Sequence, residues 1–92
     1  MVTAFVLIQA RRNEIDRTAE TLADMDGIAE VYSVAGGWDL VAVIRSDSND
    51  QLAEIVTNKM LKLDGISNTT TLIAFRTYSK HDLERMFAIG LE

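Results

Sequence analysis

The hydrophobic positions of the chain change period several times, and each change predicts a new element of secondary structure. Residues 3–9 are a nearly unbroken apolar run, too short for a buried helix and typical of a strand buried on both faces. Residues 13–26 then place apolar side chains at helical spacing, with Asn13 as a candidate N-cap and Gly27 as a stop signal. The chain is therefore expected to begin with a strand and a helix.

A glycine pair divides the next two predicted strands. Residues 28–35 and 38–45 are rich in β-branched and aliphatic side chains. Gly36-Gly37 lies between them, and glycine tolerates the positive φ of a tight hairpin turn. The pattern predicts that strand two folds directly back into strand three.

The last part of the pattern predicts a second helix and a fourth strand. Ser48 and Gln51 form the S-x-x-Q sequence of a capping box, and a helical stripe of apolar residues follows until Gly65. Residues 66–77 contain three successive threonines, whose β-branched side chains favour a strand. We expect the second helix to stop at Gly65 and the last strand to follow at once.

An internal repeat with an offset of 38 residues supports this order of elements. Residues 2–6 align with residues 40–44, and the Asp-Gly-Ile sequence of residues 26–28 recurs at 64–66. Each half is then strand-helix-strand, which makes the whole chain βαββαβ. Right-handed crossovers favour an α+β, ferredoxin-like fold, with a four-stranded antiparallel sheet, strands one and three at its centre and both helices on one face.

Strand one is apolar on both of its faces, with Phe5 and Leu7 on one side and Val6 and Ile8 on the other. Strand three has the same character. An apolar sheet face open to water would be abnormal for a monomer. We therefore expect residues 1–79 to form one domain that packs face to face with a second copy, as a dimeric α/β sandwich.

The C-terminal residues 80–92 are the alternative cover for that face. They are predicted to form a tail or a short helix, and their apolar residues Leu83, Met86 and Phe87 could close over the sheet as a lid. The same residues could instead contact a neighbouring subunit.

Composition narrows the function classes. With 92 residues the chain has the size of one domain, and its 9 basic against 14 acidic residues give a net charge of −5, which argues against direct DNA binding. It has no Cys, no basic leader and no apolar run of membrane-spanning length. We expect a cytoplasmic protein stabilised by packing.

No catalytic, metal or cofactor motif is visible in the sequence. His81 is the only histidine, and Asp82 beside it cannot complete a metal site alone. The chain has no P-loop, no G-x-G-x-x-G and no Ser-His-Asp context. We therefore predict a protein that is not an enzyme and carries no metal or cofactor.

The most informative stretch is residues 33–39, Ser-Val-Ala-Gly-Gly-Trp-Asp. The backbone N–H groups of Gly36 and Gly37 are suited to a ligand carboxylate, and Asp39 can accept from an ammonium group. Together they fit an amino acid. The alternative is that the glycines only form a turn and Asp39 only caps it.

These residues carry a family resemblance. The G-x-W-D sequence at residues 36–39 lies before an apolar strand, and residues 61–66 (Leu-Lys-Leu-Asp-Gly-Ile) lead into the threonines at 69–71. In this order and spacing they resemble the effector domain of the Lrp/AsnC regulators, also called RAM for regulation of amino acid metabolism. The resemblance covers residues 2–77.

The resemblance implies dimers with sheets packed face to face, rings that are often octameric, and small effectors, commonly amino acids, bound between dimers. Full-length members of the family carry an N-terminal helix-turn-helix, for which these 92 residues have no counterpart. The resemblance thus implies a stand-alone effector domain that could act with a full-length Lrp/AsnC regulator. The effector-contacting positions it implies here are Ser33, Gly36, Gly37, Trp38, Asp39, Asn49, Leu72, Ile73 and Ala74.

Two alternatives remain open. The ACT domain is another βαββαβ amino-acid-binding module, but it typically has a ligand-contacting glycine after strand one, where residues 9–13 here contain none. A cofactor-free dimeric ferredoxin-like barrel enzyme could use Tyr32, Trp38 or Asp39 on a polarised substrate.

Overall fold

The computed structural model describes residues 1–80, which form a four-stranded antiparallel sheet with helices on one side. The elements are β1 (Val2–Ala10), α1 (Ile15–Ala23), β2 (Ile28–Ser33), β3 (Leu40–Ser46), α2 (Asn49–Ala53) and β4 (Ile66–Ile73). The spatial order of the strands is β2-β3-β1-β4. This confirms the ferredoxin-like α+β prediction, with β1 and β3 at the centre.

The register assigns every strand residue to one of two faces. Val6 pairs with Ala42 of β3 and with Thr71 of β4, and its neighbour Phe5 pairs with Val43 and Leu72. Paired residues share a face, so even-numbered positions of β1 lie under the helices and odd-numbered ones on the other side. The helix-covered face holds the core, which consists of Ala4, Val6, Ile8, Leu22, Ile28, Leu40, Ala42, Ile44, Leu52, Ile55 and Met60.

The predicted boundaries of α1 are corrected at both ends. A 3₁₀ turn, Arg12–Glu14, precedes the helix, and no side chain caps either segment, so Asn13 is not an N-cap. The helix stops at Ala23, before Gly27. Gly27 has φ +92°, and a Cβ there would lie 2.4 Å from Ile55 Cδ1. The glycine therefore allows close packing against the second helical segment, besides its role in the turn.

The second helical segment is capped as predicted at its start and irregular afterwards. Ser48 Oγ accepts from the N–H of Gln51 (3.1 Å), and Gln51 Oε1 accepts from the N–H of Asp47 (2.8 Å), one residue earlier than a standard capping box requires. After α2 the chain continues as a π-helical stretch, Glu54–Lys59, and a 3₁₀ turn, Met60–Lys62. The helix therefore ends before Gly65.

The connection between β2 and β3 is wider than the predicted tight hairpin. Six residues, 34–39, separate the strands, and the N–H of Val34 donates to the carbonyl of Asp39 (3.0 Å). Within this loop only Gly36 has a positive φ, +127°, whereas a type I′ turn needs it at both central residues. The two strands do not fold back at the glycine pair alone.

β4 is shorter than predicted because its partner ends. It stops at Ile73, four residues before the predicted end at Thr77, and the N–H of Ala74 makes a last bond to the carbonyl of Thr3 (2.9 Å). β1 begins at Val2, so the chain beyond Ala74 has almost no strand to pair with.

The face opposite the helices, here called the open face, is apolar at its centre. Phe5, Leu7, Val41, Val43 and Leu72 lie on it by register. Phe5 is 38% exposed and Leu72 is 50% exposed. The centre of the sheet is thus apolar on both faces, as the sequence predicted.

Several expectations concern residues that the structure does not describe. The lid or subunit contact through Leu83, Met86 and Phe87 falls outside the described residues, and so does His81. Across residues 1–80, no helix has the length and apolar character needed to cross a bilayer.

Candidate functional site

The nine residues predicted to contact an effector form two groups at opposite ends of the sheet. Ala10 marks one end through a hydrogen bond to Asp39, and Ala4 marks the other by pairing with Ile73. Six residue steps along β1 separate these two alanines, which places the groups about 20 Å apart. The loop group is Ser33, Gly36, Gly37, Trp38 and Asp39, and the strand group is Asn49, Leu72, Ile73 and Ala74.

The loop group is held against the end of β1 by three hydrogen bonds. The N–H of Asp39 donates to the carbonyl of Ile8 (2.9 Å), and Asp39 Oδ2 accepts from the N–H of Ala10 (2.9 Å). Gln9 Nε2 donates to the carbonyl of Gly37 (3.0 Å). These bonds give the loop a defined position although most of its residues are exposed.

The loop leaves room for a ligand. A Cβ added at Gly36 or Gly37 would meet nothing within 4 Å, so both backbones face open space. The carboxylate of Asp39 has about four acceptor positions, and one backbone N–H leaves capacity for an ammonium group. The same bond to Ala10 also fits the alternative in which Asp39 caps the loop.

The strand group borders an apolar groove between the second helical segment and β4. β4 is an edge strand, and the helical segment leaves its outer side partly uncovered. Ile73 remains 53% exposed and Phe75 98% exposed there. The groove has a volume of about 760 Å³, and its lining residues are Asn49, Leu52, Ala53, Val56, Thr57, Thr71, Leu72, Ile73 and Phe75.

The structure divides the strand group further. Asn49, Leu72 and Ile73 line the groove, whereas Ala74 does not and instead pairs with Thr3. Asn49 is the first residue of α2 and carries the one polar side chain of the strand group.

Sequence reasoning missed residues at both ends of the sheet. The side-chain amide of Gln9 donates to the loop, and a lone amide at the end of an apolar strand is the sequence signal for such a contact. Val56 and Thr57 lie in the π-helical stretch and line the groove together with Leu52 and Ala53, four residues earlier on the same helical face. The sequence predicts Phe75 inside the last strand, whereas the structure places it beyond the end of β4 and almost fully exposed.

A polar cluster lies on the open face beside its apolar centre. The Tyr32 hydroxyl donates to Glu30 Oε2, and Arg45 Nη1 lies 3.2 Å from Glu30 Oε1. The bond from Tyr32, with the Arg45 guanidinium, lowers the pKa of the Glu30 carboxyl below its ordinary value. Glu30 in turn raises the pKa of Tyr32.

Metal-binding side chains do not converge in the part of the chain that the structure describes. No group of three or more His, Cys, Asp or Glu side chains within residues 1–80 is arranged to hold an ion.

Comparison with known proteins identifies the family. The family model described as the Lrp/AsnC ligand binding domain matches residues 3–83. The chain belongs to this family. An Lrp/AsnC relative, an uncharacterised helix-turn-helix-type transcriptional regulator of Pyrococcus abyssi, is 33% identical over 81 residues, with 82% of this chain and 52% of the relative covered. The chain thus spans about half the length of the curated relatives it matches first.

Solved structures of similar proteins share the fold. A Thermus thermophilus protein is 45% identical, with a TM-score of 0.82 and coverage of 87% of this chain and all of that one. A feast or famine regulatory protein of Mycobacterium tuberculosis, solved in complex with L-methionine, is 22% identical, with a TM-score of 0.66 and coverage of 87% and 54%. The Lrp/AsnC domain described here is therefore a ligand-binding domain of a family of transcriptional regulators.

Proposed function

We propose that this Lrp/AsnC domain senses an amino acid at a site shared by two copies of the chain, the β2–β3 loop of one and the groove of another. The separation of the two groups of candidate residues carries this proposal. An amino acid is much shorter than the roughly 20 Å between them, so one molecule cannot contact both groups in one copy. Two neighbouring copies can bring a loop and a groove together.

The two halves of the site have complementary chemistry. The loop supplies Asp39 for the ammonium group and the N–H groups of Gly36 and Gly37 for the carboxylate. The groove supplies the apolar surface of Val56, Ile73 and Phe75 for a side chain. An amino acid with an extended apolar side chain fits this division, and the Mycobacterium tuberculosis protein with bound L-methionine supports it.

Assembly provides the second copy. The apolar centre of the open face favours a homodimer in which two sheets pack against each other. The loop and the groove lie at opposite ends of each sheet and remain available for contacts between dimers, which leads to a ring such as an octamer. Bound amino acid then stabilises contacts between dimers, because it binds the assembled state and not the separate dimers.

The regulatory output follows from the relatives. They are named helix-turn-helix-type transcriptional regulators, and this chain matches about half of their length. We propose that amino-acid binding modulates transcription through the state of assembly, in mixed assemblies with a full-length Lrp/AsnC regulator formed through the same surfaces.

The first experiment is native mass spectrometry of the protein alone and with the standard L-amino acids, L-methionine included. We expect a dimer or a larger ring that retains one amino acid. A monomer without bound amino acid under all conditions would contradict the shared site.

Two variants test the two halves of the site. Asp39→Asn keeps an oxygen for the N–H of Ala10 and removes the charge, so we expect amino-acid affinity to fall about tenfold or more if Asp39 binds ammonium. Unchanged affinity would assign Asp39 to the loop alone.

Ala53→Leu narrows the groove at an exposed helical position, and Ala23→Leu on α1 is the matched control outside it.

Mixing these variants tests whether the site is shared. Neither Asp39→Asn nor Ala53→Leu alone should bind well, but in a refolded equal mixture about a quarter of the shared sites join an intact loop to an intact groove. Isothermal titration calorimetry should therefore recover part of the tight binding. No recovery in verified mixed assemblies would place the site within one copy.

A further inference from the structure

A second hollow lies on the helix-covered side, outside the two groups described above. It is a cleft of about 500 Å³ between α1 and the turn that leads into β4. None of the nine candidate effector residues lines it. Its lining residues are Arg11, Glu14, Arg17, Thr18, Thr21, Lys62, Leu63, Asp64 and Gly65.

The cleft collects positive charge in an acidic protein. The chain has a net charge of −5 and nine Lys and Arg residues, and three of these cations line this one cleft. Arg17 Nη1 lies 3.4 Å from Glu14 Oε2, so the charges of that pair offset each other. Arg11 and Lys62 form no ion pair within residues 1–80, and only Asp64 among the lining residues opposes them.

The floor of the cleft is fixed by close backbone packing. The N–H of Arg11 donates to the carbonyl of Gly65 (2.8 Å), which ties the end of β1 to the turn before β4. A Cβ at Gly65 would lie 2.2 Å from Thr18 Oγ1 and 3.1 Å from Glu14 Cβ, so only glycine lets the turn approach α1 this closely. Arg11 and Lys62 therefore extend from segments whose spacing is set.

We propose that this cleft binds the phosphate group of a small metabolite, as a site separate from the amino-acid site. Arg11 and Lys62 line the cleft from two different segments, and a phosphate has enough acceptor oxygens to accept hydrogen bonds from both. The volume of the cleft exceeds that of inorganic phosphate and leaves space for an attached organic group. This proposal does not depend on the shared amino-acid site.

The test is a titration of the full chain with inorganic phosphate, followed by two-dimensional ¹H–¹⁵N NMR at constant ionic strength. We expect amide shifts to concentrate at Arg11, Thr18 and Gly65. A parallel titration with chloride separates phosphate binding from general screening, because screening by salt acts on all exposed charges.

A pair of double variants decides the assignment. Arg11→Gln with Lys62→Gln should weaken phosphate binding about tenfold or more, since both charge-assisted contacts are lost. The matched control, Arg12→Gln with Lys59→Gln, removes the same charge from exposed positions outside the cleft and should change affinity less than about twofold.

Three results would overturn the proposal. They are equal weakening in both double variants, shifts spread over the surface, and no binding by the unmodified chain. Failure of the phosphate site can be distinguished from failure of the amino-acid site by measuring amino-acid affinity on the same samples. Neither double variant alters the loop or the groove, so amino-acid affinity should be unchanged in both.

Discussion

The two faces of the sheet have similar composition and different surroundings. On the helix-covered face, Ala4, Val6 and Ile8 of β1 are fully buried within one chain. On the open face, Phe5 between them is 38% exposed, with Val43 and Leu72 beside it. An apolar strand pattern therefore does not tell a face that is buried within the chain from a face that the chain leaves exposed.

The largest expected effect is on the helix-covered face. Ile44→Ala removes a fully buried side chain from the central strand β3, and we expect a loss of about 2–5 kcal/mol in the free energy of unfolding. Urea denaturation at low protein concentration measures it. Val41→Ala, on the open face of the same strand, is the control and should cost clearly less. Equal losses would mean that both faces are equally covered.

An intermediate effect is expected on the open face. Phe5→Glu places a charge at the centre of the proposed dimer contact, and we expect the dimer to weaken by about 2 kcal/mol or more, roughly thirtyfold in dissociation constant. Sedimentation velocity over a concentration series measures this, and Phe5→Leu should retain the dimer. If Phe5→Glu remains as dimeric as the unmodified protein, the two copies do not pack through this face.

The smallest effect concerns the polar cluster beside the apolar centre. The pKa of Glu30 is lowered in the folded chain, so its contribution to stability is present above its unfolded pKa and is lost as pH falls through the folded value. We expect the melting temperature of the unmodified protein to fall more on acidification than that of Glu30→Gln. If the melting temperatures of the two proteins fall equally on acidification, the Glu30 carboxylate does not contribute to stability.

Much of the fold was predictable because its signals are local. The apolar run that became β1, the repeat that revealed two strand-helix-strand units, and the Ser48 cap all depend on residues close in sequence. Some local signals were misleading, among them the Asn13 cap and the glycine-pair turn, and other errors occurred where distant segments decide. β4 stops at Ile73, whose partner Ala4 lies only two residues from the start of β1, and Gly27 faces Ile55 of the second helical segment.

The candidate site was predictable only as a set of positions. The sequence indicated that residues 33–39 have the chemistry to hold an amino acid, and the structure shows their loop fastened by Gln9 and Ala10. The sequence did not indicate that Asn49 and Ile73 lie at the far end of the sheet, beside a groove. That separation follows from the antiparallel register, which a linear pattern does not contain.

By itself, the sequence determined the order of elements, the two apolar sheet faces and the family resemblance, because periodicity, turn residues and motif spacing are properties of neighbouring positions. Tertiary structure alone decided the separation of the loop group from the strand group, the groove beside the edge strand and the cleft with Arg11 and Lys62. Each of these depends on the distance between segments far apart in the chain, which is set only when the helices pack on the sheet.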